Sequence, residues 1–271
     1  MVERIKRRED TDGCTCLECR GIRSVVARRR LGDVFLWAMK LLPARPSMLL
    51  IFLGLAVIQF ASQVWPARLG LPFAGVVLIA GLFAYCYTVT VAAGELVDRR
   101  YSPATAVKHS LRRLPTVLST LLIWLAAMSL LVVTCLVAGV LAIGADSLPL
   151  TVVGLLVVLA AFSLLVTVAV KFLFATEAAI VGGYGPIASF RVSWTLVPLR
   201  RRTAILLLSL GGMLLTAFVT GKFGSTTEPY PVLGNETVRF VVFGLRTATT
   251  ALSSGVTAIA LCHFYVQGVL E

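Results

Sequence analysis

Residues 101–115 read YSPATAVKHSLRRLP, and residues 184–198 read YGPIASFRVSWTLVP. Tyr101, Pro103, Lys108, Ser110 and Pro115 recur 83 residues later as Tyr184, Pro186, Arg191, Ser193 and Pro198. Each copy leads into a long apolar run, which is the pattern of a duplicated membrane unit. Ser102-Pro103 is a helix start, because Ser offers a capping oxygen and Pro fits the first helical position, where no N–H partner is missed. Ala104, Val107, Leu111 and Leu114 then fall on one face, with Lys108, Arg112 and Arg113 away from it. Ile187, Phe190, Trp194 and Val197 take the same four positions in the later copy. Such a segment is expected to lie in the headgroup layer as an amphipathic helix, its basic side toward phosphate. Shifted back by 72 residues, the stripe meets Phe35, Met39 and Leu42, and Pro115 meets Pro43. That earliest copy lacks the Tyr-x-Pro and the Ser. Asp33 is placed to cap its helix, with Pro43 and Pro46 to end it.

Outward from these segments, 58% of the 271 residues are apolar and only 14% charged, more apolar matter than one soluble core can hide. Six runs approach the ~20 residues that cross hydrocarbon: Met48–Trp65, Leu71–Ala93, Thr116–Ile143, Leu150–Val170, Thr203–Thr220 and Thr247–Val266. The last is rich in Thr and Ser, small side chains that suit a helix packed against neighbours; whether residues 236–246 join it stays open. The expected fold is therefore all-α: a polytopic bundle of six transmembrane helices with interfacial amphipathic helices, in two to three parallel repeats. Its units are approximately residues 31–94, 101–176 and 184–267 of a membrane domain covering 31–271. An even number of crossings per unit inserts every unit the same way up. Residues 1–30 read as a disordered basic tail, and no cleavable signal peptide precedes the first span.

Charge sets the orientation. Of 25 Lys and Arg, 11 precede the first span, five lie between the second and third, and five between Val170 and Thr203. Those 21 share one side; Arg68, Lys222, Arg239 and Arg246 are left for the other. The positive-inside rule puts both termini in the cytoplasm of a cell membrane. The net charge of +12 then calls for anionic lipid headgroups as partners, with an unidentified protein partner also open. No nucleic-acid partner is expected, since no segment is long enough to form a separate basic domain.

Few residues suggest chemistry. Cys14, Cys16 and Cys19 form a C-x-C-x-x-C cluster whose thiolates can hold zinc, although a structural site wants four ligands. The alternative is three reduced thiols in a flexible tail. Cys86, Cys135 and Cys262 lie within spans, where thiols pack as small apolar groups. His109 reads as solvated surface, and His263 with Phe264 and Tyr265 as an interfacial aromatic belt. Glu95 and Glu177 follow spans two and four at similar places, to pair with Arg191 or Arg112 or to be hydrated. Gln59 and Thr167 are the polar candidates within spans. No nucleophile, base and carboxylate set, phosphate-cradling loop or metalloprotease helix is readable, so neither a catalytic residue nor a cofactor is expected. Lys108, Ser110, Arg112, Arg191 and Ser193 are the candidates for lipid-headgroup contact, with helix packing as the other role for the two serines.

The stretch 177–210, EAAIVGGYGPIASFRVSWTLVPLRRRTAILLLSL, resembles a widespread group of six-span prokaryotic membrane proteins, similar to the membrane domain fused to some glycerophosphodiester phosphodiesterases. Gly182, Gly183, Gly185, Pro186, Ser193 and Trp194 carry the likeness, and Tyr101-Ser102-Pro103 and Ser110 echo it. The resemblance implies the six-span fold and no catalytic residue. The expected role is a non-catalytic membrane scaffold or accessory protein contacting anionic lipid or a partner. The alternative is a small-molecule or lipid permease lined by Thr and Ser of the last span, such as Thr250 and Ser254. A membrane-embedded enzyme acting on lipid comes third.

Overall fold

The computed structural model describes Val26 and residues 29–64, 70–97, 101–144, 147–196 and 236–270. Among these, the regular elements are all helical. They are α1 (Leu31–Ala44), α2 (Pro46–Val64), α3 (Gly70–Leu96), α4 (Pro103–Ile143), α5 (Leu148–Lys171), the single turn α6 (Ala175–Glu177), a π-helical turn (Ala178–Gly182), α7 (Pro186–Leu196) and α8 (Glu236–Leu270). Four helices are long and apolar enough to cross a membrane, or five when the bent pair α1–α2 counts as one span. The expected span Thr203–Thr220 lies outside the described residues, as does the cysteine cluster Cys14, Cys16 and Cys19. Residues 236–246 do continue the last helix.

Local chemistry explains most boundaries. The Ser102 hydroxyl accepts from the Thr105 N–H at 3.3 Å, with Pro103 opening α4 as expected. Asp33 caps α1 from inside its first turn, its carboxylate accepting the Arg30 N–H at 3.3 Å. Pro43 does not end α1. In the last turn a proline forfeits a single hydrogen bond, and its fixed φ is already helical. The break comes at Arg45, which the following Pro46 disfavours from helical backbone; its φ and ψ are −120° and 89°. The chain turns by 88° there.

The 101–115 segment behaves differently. No separate interfacial helix ends at Pro115, because α4 runs through it for 41 residues, about 62 Å at 1.5 Å per residue. That is roughly twice a hydrocarbon core, so the basic first third is an extension of the apolar run rather than a distinct shelf.

The inward face also departs from the stripe read in the sequence. Along α4 the buried positions are Ala106, Ser110, Val117, Thr120 and, near its far end, Ala142, while Ala104 and Leu111 stand exposed and Val107 and Leu114 are half-buried. Close helix contact selects small side chains. The hydroxyls this buries bond back to their own helix, Ser110 to the Ala106 carbonyl at 2.7 Å and Thr120 to Thr116 at 2.8 Å.

Helices α3 and α8 form the centre. They pack on each other, with α1 and α2 against α8, α2 against α3, and α4 on the other side of α3. The buried cluster gathers at one end of the bundle. It takes Ala84–Val97 of α3 and its following turn, Ala258–Val266 of α8, the first turns of α4, the π turn, α1 and the start of α2. Val26 joins this core and the Arg29 guanidinium lies 4.9 Å over the Trp37 ring. Within the stretch expected to be a disordered tail, the described residues are Val26, Arg29 and Arg30; the rest lies outside them. At the opposite end apolar side chains stand outward, among them Val76 and Ile79 of α3, Leu136 and Leu141 of α4, and Leu155 and Leu159 of α5. Helix α5 packs on α4, closely enough that Gly154 lies against the backbone of Ala142.

Candidate functional site

Two features at the buried end of the bundle carry charge or hydrogen-bonding capacity beyond what packing requires. One is an outward basic and aromatic face. Lys108 and Arg112 on α4 and Arg191 on α7 are exposed. Beside them stand Leu111 and Trp194, and Ile187 opens α7 fully outward. Trp194 has Lys171 Nζ 5.1 Å over its ring and Phe172 at 5.6 Å between centroids, with Phe190 edge-on to Phe172 at 4.8 Å. A cation and a large ring thus meet at Lys171 and Trp194.

The two serines expected on that surface are elsewhere. Ser110 is buried on α4, as above. Ser193 is fully buried, donating to the Lys171 carbonyl at 2.8 Å and accepting the Phe174 N–H at 3.2 Å. It ties α7 to the end of α5, satisfying backbone groups that the break at Phe172 leaves free. Neither hydroxyl is available to a headgroup, which corrects the expectation for both.

The second feature is a polar cluster within the core. Glu177, in α6, has no exposed surface. One carboxylate oxygen receives the Tyr85 hydroxyl from α3, and the other receives the Thr176 hydroxyl at 3.2 Å. Neither Arg191 nor Arg112 reaches it, and it is not hydrated surface. Glu95 instead pairs with Arg45 at the α1–α2 elbow. Around Glu177, Cys262 of α8 donates to the Val89 carbonyl at 3.5 Å. Tyr265 is buried nearby, its hydroxyl without a hydrogen-bond partner among the described residues.

The π turn that follows Glu177 is held from α4. His109 Nε2–H donates to the Ile180 carbonyl at 3.3 Å and Arg113 Nη1–H to the Gly183 carbonyl at 3.1 Å. His109 is half-buried against this turn rather than solvated. Gly183 closes the turn in left-handed backbone, φ 76°, where a Cβ is disfavoured. His263, Phe264 and Tyr265 are all buried, with Trp37 edge-on to His263 at 5.2 Å; they belong to the core and form no outward belt.

Among the remaining expected residues, Cys86 and Cys262 are buried and Cys135 half-buried. Thr167 is exposed, its hydroxyl bonded to the Ser163 carbonyl at 2.8 Å, and Gln59 is half-buried. Thr250 and Ser254 lie on an exposed flank of α8 with hydroxyls bonded to carbonyls one turn earlier. Among the described residues no group of three or more His, Cys, Asp and Glu side chains is placed to hold a metal. The pairing of Glu177 with Tyr85 was not foreseen; a hint was available in a lone acid between Phe172–Ala175 and Ala178–Val181.

What the fold and this site define is a protein whose described residues are helical in their regular elements and include four to five helices able, by length and composition, to span a membrane. The chain belongs to the family described as "Domain of unknown function (DUF7847)", which matches residues 30–268. No curated protein and no solved structure matches it.

Proposed function

We propose that this is a six-span cell-membrane protein, its termini cytoplasmic, that works without catalysis as a scaffold contacting anionic lipid. The observation that carries this reading is that Lys108, Leu111 and Arg112 of α4 and Ile187, Arg191 and Trp194 of α7, two helices in contact, all stand exposed. A surface that is both cationic and apolar suits the boundary between headgroups and acyl chains, where rings and alkyl groups enter hydrocarbon and cations meet phosphate.

Matched surroundings in the three copies support the duplicated construction. Val34 and Ala38, Ala106 and Ser110, and Ser189 and Ser193 occupy equivalent positions, and all six are fully buried. One residue beyond the second of each pair, Met39, Leu111 and Trp194 are 59%, 55% and 45% exposed. Equal offsets with equal burial are what descent from one helix-plus-hairpin unit produces.

The test is lipid selectivity. The full-length protein is exchanged into nanodiscs of mixed phosphatidylglycerol and phosphatidylcholine, and the retained lipid is measured for wild type and for the triple variant Lys108→Glu, Arg112→Glu, Arg191→Glu. Each cation near an anionic surface is worth ~1 kcal/mol, so enrichment of phosphatidylglycerol should collapse in the variant. Unchanged enrichment sinks the lipid-contact reading.

A further inference from the structure

Glu95 and Glu177 sit at similar places after two successive hairpins, yet their charges are handled differently. Glu95 has the Arg45 guanidinium. Glu177 is more deeply buried and has only two uncharged hydroxyls, Tyr85 and Thr176. No Lys, Arg or His of the described residues is within ion-pairing distance of it. The groups facing it are Tyr85 from α3, Cys262 and Tyr265 from α8 and Thr176 from its own turn, while α7, which also packs on this turn, has Ser193 bonded to the Lys171 carbonyl and the Phe174 N–H and Arg191 exposed. On the α4 side, His109 and Arg113 are engaged with the Ile180 and Gly183 carbonyls further along the chain. A carboxylate taken out of water needs a positive partner, whereas a neutral carboxylic acid needs only hydrogen bonds.

From this geometry we propose that Glu177 is a proton-binding site, its carboxyl held as the neutral acid between the Tyr85 and Thr176 hydroxyls. Its ligand is a single exchangeable proton. Binding places the acid hydrogen on one carboxyl oxygen, and the hydroxyl beside that oxygen turns from donor to acceptor; release leaves a charge met by the two hydroxyls and, among the described residues, by no cation. The site lies where α6 and its π turn meet α3 and α8, so proton release strains the joint between the two central helices and the loop leading to α7. The buried Tyr265 hydroxyl, with no partner among the described residues, gives the same pocket a second polar group for a rearranged network. The inference does not depend on lipid contact by the outward basic face.

Infrared difference spectroscopy on the full chain in nanodiscs tests it. At mildly acidic pH the wild type should show the carbonyl stretch of a neutral carboxylic acid, lost as the pH is raised. Glu177→Gln should lack that band while eluting as a single folded species. Tyr85→Phe should keep the band but move it to higher frequency, because one hydrogen bond to the acid is gone; this variant carries the test if Glu177→Gln fails to fold. Spectra of Glu177→Gln and wild type that coincide in this region would overturn the proposal, as would a band indifferent to Tyr85→Phe. A band that disappears at fixed pH when sodium replaces a large organic cation would assign the carboxylate to a metal cation and equally overturn it.

Discussion

Replacing Gly183 by Ala tests how the turn after Glu177 is held. At φ 76° an alanine is strained, by roughly 1–2 kcal/mol in left-handed backbone. Its Cβ would also stand 2.7 Å from Arg113 Nη2, so the guanidinium must leave. The Arg113 hydrogen bond to the Gly183 carbonyl would go with it, and a hydrogen bond to a charged group is worth about 1.5–3 kcal/mol. The two effects together predict a loss of about 2.5–5 kcal/mol. Arginine is long and its far end can swing aside, so the backbone contribution is the firmer of the two. A double-mutant cycle separates them. In detergent, unfolding of wild type, Gly183→Ala, Arg113→Ala and the double variant would be followed by tryptophan fluorescence. On the Arg113→Ala background, Gly183→Ala should cost only its backbone strain, about 1–2 kcal/mol. Gly183→Asn should fall between wild type and alanine, since Asn enters left-handed backbone more readily. Strictly additive costs would refute the claimed link between the α4 guanidinium and the turn, and a Gly183→Ala protein as stable as wild type would refute the strain.

Two further perturbations probe the frame around the site. Gly154→Ala puts a Cβ 2.5 Å from the Ala142 Cβ and 2.9 Å from its Cα, so α4 and α5 must part; the expected cost is about 1–3 kcal/mol, relieved by adding Ala142→Gly, and an unshifted thermal midpoint would show that the hairpin is not that close. Arg45→Ala leaves the mostly buried Glu95 without its cation, and the Arg45/Glu95 coupling measured by a double-mutant cycle should exceed the ~0.2–1 kcal/mol of exposed pairs; a value inside that range would mean the elbow is fixed by Pro46 alone.

Backbone punctuation was readable because it acts locally. Ser102, Pro103, Pro46 and Pro186 open helices where their chemistry says they should, and long apolar runs become long helices. Pro115 misled because interrupting one hydrogen bond does not end a helix whose continuation is apolar for nearly thirty residues. The inward faces misled for a more general reason. An apolar stripe marks the buried side only when the alternative is water. On α4 and α7 the larger apolar groups Leu111, Ile187 and Trp194 turn outward, and Ala106, Ser110, Ser189 and Ser193 turn in. If lipid is the surrounding medium, size rather than polarity decides which side faces a neighbour. The serines shared by the two copies were therefore legible as a repeat but not as an interface.

The same inversion bears on the acids. Read along the chain, Glu95 and Glu177 are two carboxylates after two apolar runs, and nearby arginines in the basic connections are natural partners. Only the packing separates them. Glu95 finds Arg45 because the 88° turn at that residue brings a guanidinium to the end of α3. In the 101–115 segment the helix is not broken at Pro115, and Arg113 is committed to the Gly183 carbonyl. Tyr85, 92 residues away in sequence, fills the place of the missing cation. On the duplicated reading, the difference between an ion pair in one unit and a hydroxyl pair in the next goes with a single structural change, the unbroken helix at Pro115. A carboxyl freed from its salt bridge in this way is the kind of group that a copied unit can turn to a use its parent lacked.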